Sequence, residues 1–287
     1  MLMIERIAVI GGDARQMWLA QALLRSGLRV RCAEVPGMDD EPGGLYGALD
    51  GAQAAALPMP ALTQDGRVRS QRSDGISLDA ITQSVPAGAV IFGGGLSRVR
   101  AALETHGLRV FDYLDDEALT IENAVPSAES AIEIAMRELP VTLCGSRCLV
   151  VGYGRIGKAL SARLHALHAH VTVSARKPAD RAAIESAGLR ADRTGSYLHD
   201  LAQYDCIFNT VPAPVLDAHA LRQIRPGVPV IELASAPGGI DLESAKALGT
   251  KTVFALSLPG KCAPVTAGRI IEESILHILA AEGVVQP

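Results

Sequence analysis

Two segments of the chain share one pattern of apolar and polar positions. Each opens with a short apolar run, passes through a glycine-rich turn, and then enters a stretch with apolar residues at helical spacing. The first segment is 6–30 and the second is 147–173. Each predicts a strand, a turn, a helix and a second strand, so we expect two α/β domains in tandem.

The first half of the chain continues this alternation. The pattern predicts strands at Arg6–Ile10, Arg29–Ala33, 52–57, 89–92 and 109–111, with helices at 17–25, 77–84 and 97–106. The segment 36–51 is rich in Pro, Gly and Asp and is expected to be a loop. Strands separated by helices indicate a parallel sheet with right-handed crossovers.

Two helices are expected to connect the domains. One covers 124–139, is entered at Pro126 and stops before Pro140; the other covers 265–281, after Pro264, and is expected to return to the first domain. The predicted fold class is therefore α/β, with two Rossmann-like, doubly wound parallel-sheet domains joined by crossing helices. The expected domains are 1–125 with 265–287, a linking helix at 126–141, and a second domain at 142–264.

The second glycine-rich turn predicts a dinucleotide site. Gly152, Gly154 and Gly157 form G-x-G-x-x-G directly after the strand at 148–151. The first glycine permits a tight turn, the second lets a pyrophosphate approach the backbone, and the third lets the helix pack close to the strand. The phosphates would bind free N–H groups at the start of the helix, where Arg155 and Ile156 lie. The alternative is a merely tight α/β turn.

The end of the next strand, at 170–174, distinguishes NADP from NAD. Enzymes that use NAD place an Asp or Glu here to bind the ribose 2′-hydroxyl. This chain has Ser174, Arg176 and Lys177 instead, and a hydroxyl with two cations suits a 2′-phosphate. We therefore predict NADP(H); the alternative is that the two cations are solvated loop charges. Asp180, the nearest acid, is expected to begin the next helix.

Two later strand ends are expected to complete the dinucleotide site. The strand at 205–209 runs into one loop and the strand at 230–233 into another. Ligands of open parallel sheets lie outside the carboxyl ends of the strands, so both loops should border the cofactor. The residues expected there are Asn209, Thr210, Val211, Pro212, Ala234 and Ser235.

Composition and charge narrow the class of protein. The net charge is −4 and the sequence pI is about 6.0, which gives no support for nucleic-acid or membrane binding. No signal peptide or membrane span is indicated, so we expect a cytoplasmic protein. The five cysteines form no metal-binding or disulfide pattern and are expected to be small buried residues, and no metal is expected. A homo-oligomer remains possible.

No residue pattern indicates a nucleophile or a zinc-protease helix, so a cofactor would carry the chemistry. None of the seven histidines lies in a glycine-rich loop at a strand end. The candidates lie where the two domains are expected to face each other. Glu129 and Lys261 are the candidate catalytic residues, and the candidate substrate-binding residues are Asp13, Arg15, Gly94, Gly95, Asn123, Ser127 and Lys261.

Seven blocks spaced along nearly the whole chain carry a resemblance to a known family. They are GGDARQ (11–16), ENAVPSAESAIEIAM (122–136), VVGYGRIGK (150–158), TVSARK (172–177), IFNTVPAPVL (207–216), ELASAPGGID (232–241) and LPGKCAPVTAG (258–268). Their order and spacing resemble the A subunit of dipicolinate synthase, from spore-forming bacteria. A broader likeness is to D-2-hydroxyacid dehydrogenases, which also pair two α/β domains.

The resemblance implies a specific oxidation. The family makes dipicolinate (pyridine-2,6-dicarboxylate) from dihydrodipicolinate and reduces NADP⁺, together with a flavoprotein-like B subunit, in the cytoplasm of the sporulating mother cell. Two substrate carboxylates call for cations, for which Arg15 and Lys261 are the choices, and Glu129 could accept a proton. The hydroxyacid dehydrogenases carry a catalytic His before their last crossing helix, whereas this chain offers Lys261 there.

Two other functions stay open at this point. One is an NADP-dependent dehydrogenase of another small carboxylate, which the missing histidine opposes. The other is a non-catalytic NADP-binding subunit that supports a flavoprotein-like partner. Activity of the isolated chain would separate these classes.

Overall fold

A computed structural model describes residues 4–195 and 200–282 of the chain. Within these residues the chain forms two compact units. The first consists of the described residues up to Asn123 together with those from Pro259 onward, and the second is Ala124–Leu258. Each unit is an α/β domain built on one fully parallel sheet.

The strands of the described residues are all short. They are β1 (Arg6–Ile10), β2 (Arg29–Ala33), β3 (Ala54–Ala56), β4 (Val90–Gly93), β5 (Arg109–Asp112), β6 (Arg147–Val151), β7 (His170–Ala175), β8 (Arg190–Arg193), β9 (Cys206–Asn209), β10 (Val230–Glu232) and β11 (Thr252–Phe254). The first unit has the strand order β2-β1-β3-β4-β5, and the second has β11-β10-β9-β6-β7-β8. All pairs are parallel, which confirms the predicted fold class.

The helices follow the strands in alternation. They are α1 (Ala14–Arg25), α2 (Gly44–Leu49), α3 (Leu78–Ser84), α4 (Arg100–Thr105), α5 (Glu117–Glu138), α6 (Arg155–Ala166), α7 (Pro178–Ser186), α8 (Ala218–Arg222), α9 (Leu242–Leu248), α10 (Leu258–Cys262) and α11 (Pro264–Ala281). Short 3-10 helices lie at Tyr113–Asp115 and Leu201–Gln203. No helix of the described residues is long and apolar enough to cross a membrane.

The core of the first unit joins both ends of the chain. Its buried cluster contains Ile7 and Val9 of β1 together with Ile271 and Ile275 of α11. Helix α11 packs directly on α1, because a Cβ placed on Gly268 would lie 2.8 Å from both the Arg15 carbonyl oxygen and the Trp18 Cβ. Only a glycine permits this distance between the two helix backbones.

Several elements differ from the sequence expectations. Helix α5 begins at Glu117 rather than 124, so Pro126 lies inside it instead of at its entry. The expected loop at 36–51 contains α2, a short helix α10 precedes α11, and no bounds were predicted for β8 or β11. Helix α2 and β11 are too short to give a clear periodic signal, and Pro and Gly within α2 and α10 or just before them favoured a loop.

The units divide near the boundaries expected from the sequence. The structure separates them at 123/124 and 258/259, where the sequence placed the ends of the first domain at 125 and 265. The first boundary falls within α5 and the second within α10. Helix α5 is therefore a single element shared by the two units.

Candidate functional site

The turn between β6 and α6 is built around two glycines that no other residue could replace without a shift. Gly152 has φ +102°, and a Cβ there would lie 2.5 Å from Thr210 Oγ1. A Cβ on Gly157 would lie 2.2 Å from the carbonyl oxygen of Gly152. Helix α6 therefore begins in direct contact with the end of β6, as the fingerprint requires.

Gly154 differs from its two neighbours because it faces open space. It is the N-cap residue of α6, and a Cβ built on it would have no heavy atom within 4 Å. The first-turn N–H groups of a helix have no partner within the helix, and the helix dipole makes this end favourable for anions. An open N-terminus without a Cβ is a cradle that fits a pyrophosphate.

The end of β7 is basic, and the structure adds an arginine that the sequence analysis did not single out. Arg176 and Lys177 are exposed at the corner between β7 and α7. Arg181 of α7 folds back over them, and its Nη1 donates to the carbonyl oxygens of Ala175 at 3.4 Å and Arg176 at 2.8 Å. Three cations therefore lie at this corner.

Two other groups at this corner limit the simple 2′-phosphate interpretation. Ser174 is fully buried, and its hydroxyl donates to Thr194 Oγ1 at 3.2 Å, so it is engaged within the unit. Asp192 lies opposite Ser174 in the register of β7 and β8. The neighbouring strand thus brings a carboxylate to this corner and, through Arg193 opposite Ala175, a further cation.

The loop after β9 contacts the glycine turn directly. Thr210 donates both its backbone N–H and its hydroxyl to the carbonyl oxygen of Val151, each at 2.9 Å. Asn209, in contrast, is fully buried, and its side-chain amide donates to Glu232 Oε1 at 2.8 Å. The Asn209 amide therefore stabilises the loop after β9 from inside the unit. Glu232 was not among the sequence candidates.

In the first unit, Asp13 and Arg15 form a paired group at the start of α1. Arg15 Nε donates to Asp13 Oδ1 at 2.8 Å and Nη2 donates to Oδ2 at 2.7 Å. The Arg15 side chain is only 8% exposed. A Cβ on Gly260 would lie 2.5 Å from Asp13 Oδ2, so the residue preceding Lys261 touches this pair. Lys261 itself is exposed.

The Asp13–Arg15 pair makes the stability of the first unit sensitive to acid. Burial raises the pKa of the Asp13 carboxyl, but the hydrogen bonds and charge of Arg15 outweigh it, and the pKa is lowered from 3.8. A carboxyl group whose pKa is lowered by folding stabilises the folded protein at pH values above its pKa in the unfolded chain. This stabilisation is lost as the pH falls through the pKa of the group in the folded protein. Asp13→Asn also leaves a buried guanidinium without its carboxylate.

We expect Asp13→Asn to reduce the free energy of unfolding at pH 7 by about 2–4 kcal/mol. The loss should shrink as the pH falls below 4, because the wild-type carboxylate is then being protonated. Urea unfolding at several pH values measures both effects. The matched control is Asp79→Asn, at an exposed first-turn position of α3. An equal loss at pH 7 and at pH 2.5 would contradict the role of the ion pair.

The structure corrects the reasoning that led to Gly94 and Gly95. As substrate-binding candidates without side chains, both would have to bind a ligand through accessible backbone N–H groups. Instead the N–H of Gly94 donates to the Pro58 carbonyl oxygen at 3.0 Å, and that of Gly95 donates to Asp112 Oδ1 at 2.8 Å. The buried Asp112 carboxylate also accepts from the N–H of Leu96 at 2.6 Å. The Pro58 carbonyl oxygen and the Asp112 carboxylate thus already accept the hydrogen bonds that Gly94 and Gly95 could donate to a ligand.

The three candidates on α5 do not share one face. Asn123 and Ser127 are four residues apart and lie above one another on the helix, with Ser127 buried. Glu129 lies on a different face, is 65% exposed, and is paired with Arg163 Nε at 3.3 Å. Arg163 lies eight residues beyond the start of α6, roughly 12 Å along the helix. The Glu129 carboxylate is therefore held away from the glycine turn.

The cysteines are all reduced, but they are not all buried. Cys32, Cys148 and Cys206 are buried, whereas Cys144 and Cys262 are exposed, which corrects the expectation for those two. Burial raises the pKa of the Cys148 thiol to about 11 and that of Cys206 well above its usual value. The buried thiols are therefore unreactive packing residues.

The comparisons with known proteins follow the division into two units. Residues 6–114 match the family model of the N-terminal domain of the dipicolinate synthase A subunit. Residues 125–243 match "D-isomer specific 2-hydroxyacid dehydrogenase, NAD binding domain". The dipicolinate synthase A subunit of Bacillus subtilis (strain 168) is 31% identical over 291 residues, and the match covers 96% of each chain. The chain belongs to the family of dipicolinate synthase A subunits.

Solved structures of this family have the same fold over the whole chain. The dipicolinate synthase A subunit from Bacillus halodurans matches with a TM-score of 0.85 at 27% identity, covering 98% of this chain and 99% of that one. The A chain of dipicolinate synthase from Bacillus subtilis matches with a TM-score of 0.84 at 30% identity, covering 98% and 97%. The resemblance identified from the sequence blocks is confirmed.

Membership of this dipicolinate synthase family fixes the general class of chemistry. The matched NAD-binding domain of a dehydrogenase contains the turn at 152–157, whose open N-cap fits a pyrophosphate. A nicotinamide dinucleotide is therefore the cofactor class of the second unit, and the family is one of oxidoreductases. The choice between NADP and NAD depends on the β7 corner.

Proposed function

We propose that this chain is an NADP-dependent dehydrogenase that oxidises dihydrodipicolinate to dipicolinate. The observation that carries the proposal is the basic corner at the end of β7, where Arg176, Lys177 and Arg181 lie beside the glycine turn. The substrate follows from the family, whose members carry the name of dipicolinate synthase. Partnership with a B subunit and a role in sporulation, in the mother-cell cytoplasm, belong to the same proposal.

The basic corner suits a group with two negative charges. A 2′-phosphate accepts hydrogen bonds from several cations, whereas a free 2′-hydroxyl is best bound by a carboxylate. Arg176 and Lys177 are exposed and supply the charge, and Arg181 fixes the turn that carries them. Asp192 is the carboxylate that would bind a hydroxyl if NAD were the cofactor, so it is the competing partner at this corner.

The residues of the chain have limited chemistry to perform in this reaction. The bound oxidised dinucleotide supplies the hydride acceptor. The start of α6 binds its pyrophosphate, and the loop at 210–212 lies against the turn that orients it. Oxidation of a dihydropyridine gains aromaticity, so the ring proton can leave to water. Glu129 remains a predicted proton acceptor, but its ion pair with Arg163 makes it a poor one.

The substrate carboxylates are assigned to cations of the first unit. Arg15 already binds Asp13 through two of its nitrogens, which leaves Nη1 as its donor for a ligand. Lys261 is exposed and directly follows Gly260, which touches this pair. We therefore place Lys261 as the main contact to a carboxylate and Arg15 as the second, with Asp13 as the group that orients Arg15. Asn123 and Ser127 remain predicted substrate contacts.

The test uses the purified chain with and without a substrate. Titration with NADPH and NADH, followed by nicotinamide fluorescence, measures cofactor preference. Dihydrodipicolinate and NADP⁺ are then added, and the absorbance of NADPH measures turnover. Preference for NADPH with turnover supports the proposal. Tight NADPH binding without turnover supports a non-catalytic subunit that needs its partner. Tighter binding of NADH than of NADPH would indicate that Asp192 binds the ribose 2′-hydroxyl.

Lys261→Ala is expected to weaken substrate binding and spare the cofactor. Removing one exposed cation from a carboxylate should raise the substrate KM roughly tenfold, while the Kd of NADPH changes by less than about twofold. Steady-state kinetics and fluorescence titration measure the two quantities. Lys246→Ala, at an exposed position of α9, is the matched control. An unchanged KM would remove Lys261 from the substrate site.

A further inference from the structure

Glu232 is a buried carboxylate with no cationic partner among the described residues. It ends β10, is 2% exposed, and lies between apolar residues of the strand and the loop. Its oxygens accept three hydrogen bonds, all from neutral groups: Asn209 Nδ2 at 2.8 Å, the Ala234 N–H at 3.0 Å and the Gly239 N–H at 2.9 Å. A buried carboxylate is costly unless its oxygens accept hydrogen bonds, and these three donors supply them.

Only a carboxylate fits this position. Oε1 accepts from Asn209 and Ala234, and Oε2 accepts from Gly239, so donors face both oxygens. An amide in place of the carboxylate would direct an NH₂ group at one of these donors and leave it unsatisfied. The three bonds therefore select an acceptor-only group.

The three donors belong to two different loops. Asn209 opens the loop at 210–214, and its Oδ1 accepts from the Val211 N–H at 3.1 Å. Ala234 and Gly239 lie at the two ends of the loop at 234–239. The carbonyl oxygen of Gly239 accepts from the N–H groups of Val215 at 3.0 Å and Leu216 at 2.9 Å. The Glu232 carboxylate thus joins both loops at one point.

Gly239 shows how closely the two loops approach. A Cβ on Gly239 would lie 2.4 Å from Asn209 Nδ2 and 2.6 Å from the Val211 carbonyl oxygen. The loop at 210–214 in turn contacts the glycine turn, because Thr210 donates to the Val151 carbonyl oxygen and lies against Gly152. A continuous set of contacts therefore runs from the Glu232 carboxylate to the glycine turn.

We propose that Glu232 is a positioning residue that sets the shape of the two loops bordering the nicotinamide half of the cofactor. This inference rests on the proposed function for the identity of the ligand. The strand order places β9 and β10, which carry these loops, on the opposite side of β6 from the β7 corner, where the proposed function binds the adenosine half. Disturbing Glu232 should therefore weaken binding of the whole dinucleotide but leave its adenosine fragment unaffected.

The experiment compares two ligands on Glu232→Gln, which keeps the side-chain size, removes the negative charge and replaces one acceptor oxygen by an NH₂ donor. The ligands are NADPH and adenosine 2′,5′-bisphosphate, which lacks the nicotinamide half. We expect Glu232→Gln to bind NADPH about tenfold or more weakly and the bisphosphate within about twofold of wild type. Glu243→Gln, at an exposed position on α9, is the matched control and should bind both ligands as wild type does.

A second variant separates positioning from general damage. Asn209→Ala removes one of the three donors to the Glu232 carboxylate, so it should also weaken NADPH binding and leave binding of the bisphosphate within about twofold of wild type. Equal weakening of both ligands by Glu232→Gln, or unchanged NADPH binding, would overturn the inference. If wild type prefers NADH and does not bind the bisphosphate, the NADP assignment fails instead. The same comparison then runs with NADH and ADP-ribose, and Glu232→Gln must still weaken only the former.

Discussion

Gly154→Ala is expected to weaken dinucleotide binding about a hundredfold or more and to leave the protein folded. Gly154 has φ −78°, which alanine adopts freely, and its added Cβ would meet no heavy atom within 4 Å. The methyl group would occupy the space through which the pyrophosphate approaches the start of α6. We expect the Kd of the dinucleotide to rise about a hundredfold or more, equivalent to roughly 2.7 kcal/mol. Fluorescence titration measures the Kd.

Gly157→Ala is the contrasting variant at the same turn. Its Cβ would lie 2.2 Å from the Gly152 carbonyl oxygen, so α6 would have to move away from the end of β6. We expect its free energy of unfolding to fall by about 1–3 kcal/mol, whereas Gly154→Ala should stay within about 1 kcal/mol of wild type. Urea unfolding separates the two. A Gly154→Ala protein that binds the dinucleotide normally would show that the cradle has been assigned wrongly.

The double change Arg176→Ala and Lys177→Ala is expected to remove the preference for NADPH. Both side chains are exposed, and a phosphate gains charge-assisted hydrogen bonds from such groups that a hydroxyl does not. NADPH should bind roughly 10–100-fold more weakly, while NADH binding should change by less than about twofold. Parallel titrations with the two dinucleotides give the ratio directly.

A control for net charge accompanies the cofactor-preference test. Arg222→Ala removes a cation from an exposed position on α8 and should leave the NADPH-to-NADH ratio unchanged. The expected loss should also weaken as salt increases, because exposed charges are screened. Equal weakening of NADPH and NADH by the double change would mean that Arg176 and Lys177 bind a group that the two cofactors share.

The sequence predicts best where one local rule determines the structure. The glycine turn at 152–157 combines an apolar strand, fixed glycine spacing and an amphipathic helix, and the structure places all three as expected. The start of α5 was misplaced because Pro126 usually marks the first turn of a helix. A proline inside a 22-residue helix contradicts that local rule.

The site residues were harder to predict because their partners lie far away along the chain. The Gly95 N–H is taken up by Asp112, 17 residues later, and Asn209 is held by Glu232, 23 residues later. No local pattern reports such pairings. One signal was present for Glu232, since a charged residue ending an apolar strand must find buried partners. Arg15 lies only two residues from Asp13, but its sequence did not show whether the two would pair.

The packing of α11 on α1 through Gly268 has a consequence for the order of synthesis. The core of the first unit needs Ile271 and Ile275, which leave the ribosome only after the whole segment Ala124–Leu258. The second unit is continuous and has all its strands available earlier. During translation the second unit can therefore finish folding before the first. Until α11 has been synthesised, the apolar surface of Ile7 and Val9 stays incompletely covered and accessible to chaperones.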